Sequence, residues 1–177
     1  MQYKKIVEAY AGYSNLLKQV GRRPNFPEAI SEKMASVFLP GSKRKEKGDL
    51  WLGQKRIEVK SFTGFAPTSF GPKQSWDYIV FLDCQDLGKV SAYLNTNSSN
   101  SLVWKKLLVN KKETFGEQCE QKRRPRLNFS RISSQVSLIH LGTTSFENIL
   151  DEKLEENGFE LVKAHGLIFW MFCESKN

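Results

Sequence analysis

Between residues 50 and 94 the chain carries four short segments rich in β-branched, aromatic and leucine residues: Leu50–Leu52, Arg56–Phe62, Tyr78–Asp83 and Val90–Leu94. Gly and Pro separate them. Side chains of this kind fit a pleated, half-buried surface, so the segments predict the core of a mixed sheet. On the N-terminal side, Ile6, Tyr10, Tyr13, Leu17 and Val20 recur at helical spacing and give one apolar face on a helix that Gly21 ends. Residues 22–26 connect it to a second helix. Pro27 suits the first turn of that helix, Ile30, Met34, Val37 and Phe38 form its stripe, and Pro40 and Gly41 stop it. Further on, NTNSSNS at 95–101 reads as a loop or helix start, and residues 102–109 and 146–156 read as helices. T-F-G-E at 114–117 has capping-box spacing for a short helix over 114–121. Phe159–Val162 and Leu167–Phe172 are strand candidates joined by a turn at His165 and Gly166. Helices around a run of strands predict an α/β or mixed α+β fold with a central mixed sheet.

A chain of 177 residues with 40% hydrophobic content buries one core of ordinary size, so one domain over residues 1–177 is expected. No run approaches the roughly 18 apolar residues that span a bilayer. MQYKK opens directly into the amphipathic pattern, without the apolar region of a signal peptide, which predicts a soluble, cytoplasmic protein. Cys84, Cys119 and Cys173 are widely spaced and fit neither a disulfide framework nor a zinc site, so they are expected as packed, reduced thiols. His140, among apolar neighbours, reads as a core or strand histidine and His165 as part of a turn. The formal charge of +8 is uneven. Lys43, Arg44, Lys45 and Lys47 form one basic segment, and Lys111, Lys112, Lys122, Arg123, Arg124 and Arg126 form another. Asp151, Glu152, Glu155 and Glu156 gather near the C-terminus. Two basic segments interleaved with Asn, Gln and Pro point to a nucleic-acid partner.

The stretch KGDLWLGQKRIEVKSF, residues 47–62, concentrates charge inside the strand region. Gly53-Gln54 is a Gly-first pair of the kind that forms a type II′ hairpin turn. The register then sets Leu52 against Lys55, Trp51 against Arg56, Leu50 against Ile57, and Asp49 against Glu58, with the two carboxylates about 5 Å apart at Cβ. Lys60 shares the face of Glu58, while Leu50, Ile57 and Val59 point to a core. Opposed like charges destabilise a sheet unless something sits between them. Mg²⁺, which takes one or two carboxylates and completes its octahedron with waters and a phosphate, fits that position. A lysine beside it suits phosphodiester hydrolysis.

G-D-L followed by I-E-V-K-S resembles the signature of the PD-(D/E)xK nuclease superfamily, with Gly48-Asp49 where that family has Pro-Asp. The resemblance implies a mixed sheet flanked by helices, dependence on Mg²⁺ with Mn²⁺ as substitute, metal ligation by Asp49 and Glu58, and Lys60 at the attacking water. Many members carry a glutamate on the preceding helix, and P-E-A-I-S-E supplies Glu32 as the better match, Glu28 as the second. SFGPKQSWDYIVFLD and NKKETFGEQCEQKRRPRLNF resemble small type II restriction endonucleases, a likeness spread over residues 27–129. It implies a sequence-specific endonuclease acting on double-stranded DNA as a homodimer. In such enzymes the loop after the lysine touches DNA, which marks Ser69, Lys73 and Gln74.

Gln118, Gln121, Lys122, Arg123, Arg124 and Arg126 have the chemistry to read bases or to hold phosphates. Lys43, Arg44, Lys45, Lys111 and Lys112 are expected on the DNA backbone. The domain then divides into N-terminal helices over 3–39, a catalytic sheet over about 48–94, a DNA-contacting segment over about 110–131, and a C-terminal helix and strands over 144–173. A structure-specific nuclease such as a Holliday-junction resolvase, and a catalytically silent DNA-binding module, are the alternative readings.

Overall fold

The structure is a computed structural model that describes residues 2–17, 21, 25–45, 48–64, 66–86 and 88–173. Val20, residues 22–24 of the expected connection, and Lys47 lie outside the described residues, and Asp49 is described through its backbone alone. The four expected strands form, as β2 (Gly48–Leu52), β3 (Lys55–Phe62), β5 (Tyr78–Asp83) and β6 (Lys89–Asn95). With β1 (Lys43–Lys45) and β8 (Ile139–Ser145) they make one six-stranded sheet in the order β1-β2-β3-β5-β6-β8. Only β3 and β5 run parallel; the other neighbours are antiparallel. Helices α1 (Gln2–Leu17), α2 (Glu28–Phe38), α3 (Leu102–Lys105), α4 (Phe115–Glu120), α5 (Phe129–Ser133) and α6 (Phe146–Leu150) flank it, so the fold is mixed α+β. No helix among the described residues is long and apolar enough to cross a membrane.

Strand β3 divides the interior in two, because successive side chains leave a strand on opposite faces. Ile57 and Val59 join the stripe of α2, with Ile30, Met34, Val37 and Phe38 buried against Val80, Leu82, Leu94 and Phe169. Phe62 joins Phe70, Trp76, Phe81, Trp104 and Phe115 in a separate aromatic layer. Its rings meet edge-on, Trp76 to Trp104 at 5.1 Å and Phe70 to Phe115 at 5.4 Å between centroids, the arrangement that ring quadrupoles favour.

Elsewhere the elements are shorter than their sequence patterns. The expected helix over 102–109 is a single turn capped by Ser101, and that over 146–156 ends at Leu150, leaving a 3-10 turn over Glu155–Asn157. On α1 only part of the apolar stripe is covered: Tyr10 packs on Phe26 at 4.3 Å, whereas Ile6 and Tyr13 are 45% and 56% exposed. The capping box at Thr114 and Glu117 is present as expected. The hairpin of β9 (Phe159–Ala164) and β10 (Leu167–Phe172) also forms, its turn at His165 and Gly166 having positive φ at both positions. Gly142 in β8 lets that hairpin approach, since a Cβ there would lie 2.6 Å from both Phe159 and Phe172.

Candidate active site

The Gly53-Gln54 turn sets the geometry. Gly53 has φ +60° and Gln54 is not among the positive-φ residues, as a Gly-first II′ turn requires. The hairpin pairs Leu52 with Lys55, Trp51 with Arg56 and Leu50 with Ile57. The paired register ends at Leu50 and Ile57, one position short of Asp49 on β2 and Glu58 on β3. On the neighbouring strand, Glu58 lies alongside Ile79 and Lys60 alongside Phe81. The charged residues are thus embedded in the aromatic side of the sheet.

Glu58 is 3% exposed, and its Oε1 lies 2.7 Å from Lys60 Nζ. Lys60 also sits 5.5 Å from the centroid of Phe70, within the range at which a ring face attracts an ammonium. Two charges withdrawn from water cost more in desolvation than a surface pair, and their close approach offsets that cost. Ser69, next to Phe70, belongs to the short strand β4 (Thr68–Ser69), which pairs with β7 (Arg126–Leu127), so Ser69 faces Arg126. The loop after the lysine and the basic segment, distant in sequence, meet here.

Glu32, also expected at the site, is 2% exposed and forms an ion pair with Arg44 of β1. Its neighbour Ser31 bonds Ser61 of β3, Oγ to Oγ at 2.7 Å. The glutamate of α2 and an arginine expected on DNA therefore neutralise each other. Glu28 is exposed. Among the described residues no group of three or more His, Cys, Asp or Glu gathers in a metal-binding cluster.

Lys43, Lys45, Lys73, Lys111, Lys112, Lys122, Arg124 and Arg126 are exposed, and Lys45 Nζ stands 3.7 Å above the Trp51 ring. The glutamines make bonds within the chain. Gln118 is buried and donates to Glu113 Oε2 at 2.9 Å. Gln121 Oε1 accepts from Arg123 Nε at 2.8 Å, and Gln74 Oε1 accepts from the Gly71 N–H at 2.9 Å. These amides hold their own loops. Arg123 in turn pairs with Glu113.

Glu113 is the hub that sequence reasoning missed. Hydrogen bonds from Asn110, Gln118 and Arg123 hold its carboxyl down at about 2. The available signal was the N-K-K-E spacing, in which Asn110 Oδ1 accepts the N–H of Lys112 and Glu113 and folds the turn locally. The thiols are free and unsuited to nucleophilic roles: burial raises Cys84, Cys119 and Cys173, with Asp83, Glu120 and Glu160 adding to it.

A family model described as the Bsp6I restriction endonuclease matches residues 1–136. The chain is also 29% identical over 141 residues to the type II restriction enzyme Bsp6I of Bacillus sp. (strain RFL6), a match covering 72% of this chain and 78% of that protein. No solved structure matches the chain.

Proposed function

The chain belongs to the Bsp6I restriction endonuclease family, and from that premise we propose that it hydrolyses phosphodiester bonds of double-stranded DNA at a specific sequence, with Mg²⁺ as cofactor and Asp49, Glu58 and Lys60 as the PD-(D/E)xK-type site. The observation that supports this reading is the Glu58–Lys60 ion pair on β3, the strand that a two-residue hairpin joins to β2, which carries Asp49. Every residue assigned to the site falls within the matched 1–136.

The donor set fits a hard divalent cation. Two carboxylates at one strand pair, beside a phosphate and water, are what Mg²⁺ takes in phosphoryl-transfer sites. Asp49 and Glu58 would hold it, and when bound it supplies Lewis-acid polarisation of the scissile phosphate. Lys60 is fixed by Glu58, so its ammonium is preorganised to donate to a phosphate oxygen as negative charge grows there. The same ammonium orients the attacking water. Glu32, the catalytic glutamate expected on α2, is tied to β1 by its ion pair with Arg44.

Incubation with plasmid and Mg²⁺ tests the reading. Discrete fragments support it; cleavage confined to branched substrates favours a resolvase, and binding without cutting favours a silent module.

A further inference from the structure

Helix α5 and the turn at residues 108–113 enclose an open cleft of about 520 Å³. Lys111 and Arg131 are the charged residues in its lining, which contains no carboxylate. Three amides also line it, and each has its oxygen engaged. Asn110 Oδ1 accepts from the N–H of Lys112 and of Glu113 at 2.8 and 2.9 Å. Asn128 Oδ1 accepts from the Arg131 N–H at 3.1 Å and caps α5. Gln135 Oε1 accepts from the Leu108 N–H at 2.8 Å, while its Nε2 returns a bond to Leu108 O at 3.2 Å.

Reading a base with Asn or Gln takes both the oxygen and the amino group of the amide. With the oxygens tied into the walls, bidentate base reading is closed to this cleft. The cations differ. Lys111 makes no hydrogen bond or ion pair among the described residues and is exposed. Arg131 uses one donor, Nη1, on Val109 O at 2.8 Å, and a guanidinium carries five.

The cleft lies on the same side of the sheet as Lys60. Phe129, the first residue of α5, stacks on Phe62 at 4.7 Å and packs near Phe81 at 5.6 Å. Phe62 follows Lys60 by two positions, about 7 Å along the strand. Strand β7, immediately before α5, pairs with β4 beside Phe70, the ring against Lys60.

We propose that this cleft is a sequence-independent anchor for the DNA backbone, in which Lys111 and Arg131 hold phosphate of the strand presented to Lys60. The inference rests on the nuclease reading above. It extends the interface to Arg131 and makes the cleft a positioning element, since phosphate contacts fix register and orientation while base contacts specify.

The test is fluorescence anisotropy on labelled duplexes over a range of salt without divalent cation, using wild type, Lys111→Gln, Arg131→Gln and the control Lys163→Gln on β9. Each cleft variant should weaken binding evenly for duplexes of different sequence and lower the slope of log affinity against log salt by about 0.9; the control should change neither. Lys111 has no bonding partner among the described residues, so its variant decides the matter even if loss of the Arg131–Val109 bond loosens the turn. An unchanged slope for Lys111→Gln, or a loss confined to one sequence, overturns the anchor in an enzyme that still cuts DNA. A wild-type protein that neither binds nor cuts any duplex overturns the nuclease reading beneath it.

Discussion

Lys60 Nζ lies 2.7 Å from Glu58 Oε1, and the two side chains retain 17% and 3% of their exposure. Removing one partner strips a countercharge from a group held out of water, so Lys60→Ala should destabilise the fold by about 3 kcal/mol as well as slow cleavage about 10²–10³-fold. Replacing both with neutral side chains of similar shape, Glu58→Gln with Lys60→Met, should recover most of that stability and none of the activity. Urea denaturation of the single and double variants checks this. A double variant as unstable as Lys60→Ala would show instead that the pair contributes net stability beyond offsetting its own desolvation.

The Arg44–Glu32 pair separates two lysines from the arginine between them. Lys43→Ala and Lys45→Ala should each flatten the salt dependence of DNA binding by about 0.9 per lost phosphate contact with little change in stability. Arg44→Ala should instead lower stability, by about 1–3 kcal/mol given its half-exposed guanidinium, because Glu32 is 2% exposed. Thermal melts beside the binding curves distinguish the two effects.

Acidification should loosen the basic segment around Glu113. The Glu113 carboxyl is held at about 2 against an ordinary value of 4.5. A lowered carboxylate contributes its full stabilisation above the ordinary value and loses it as pH falls towards the folded one. The bonds from Asn110, Gln118 and Arg123 should therefore weaken progressively from about pH 4.5 to 2. Amide exchange at residues 110–123 measures this, and Glu113→Gln should abolish the pH dependence in that segment.

Two centres related by the DNA dyad would cut both strands of a duplex in one encounter, and a chain with one proposed centre would supply them as a homodimer. Sedimentation on a cognate duplex should give two copies per site and a palindromic or nearly palindromic target. A monomeric complex that nicks one strand at an asymmetric site would remove the dimer and leave the active-site residues in place.

What was legible in the sequence follows from where local chemistry decides. The Gly53-Gln54 turn fixes its own register, so the pairing of Leu50 with Ile57 followed from the residues alone. The stripe of α2 and the capping box at Thr114 were likewise local. Strand β1, by contrast, reads Lys-Arg-Lys and has no apolar alternation, because a sheet edge is protected by charge. Strands β4 and β7 hold two residues each and form by pairing with one another across the chain. The bond of Gln118 to Glu113 was not legible, because the fold of a turn places that partner. The pairing of Glu32 with Arg44 was hidden for the same reason: it joins a helix to an edge strand that the pattern did not announce.

We propose Asp49, Glu58 and Lys60 as the cutting site of a DNA endonuclease. Its most direct test is incubation of bacterial genomic DNA and Mg²⁺ with wild type, Asp49→Asn and Glu58→Gln, alongside duplex binding without metal. Discrete fragments from the wild type alone, with both variants folded and still binding DNA, are the predicted result. Cleavage at the wild-type rate by either variant would contradict it.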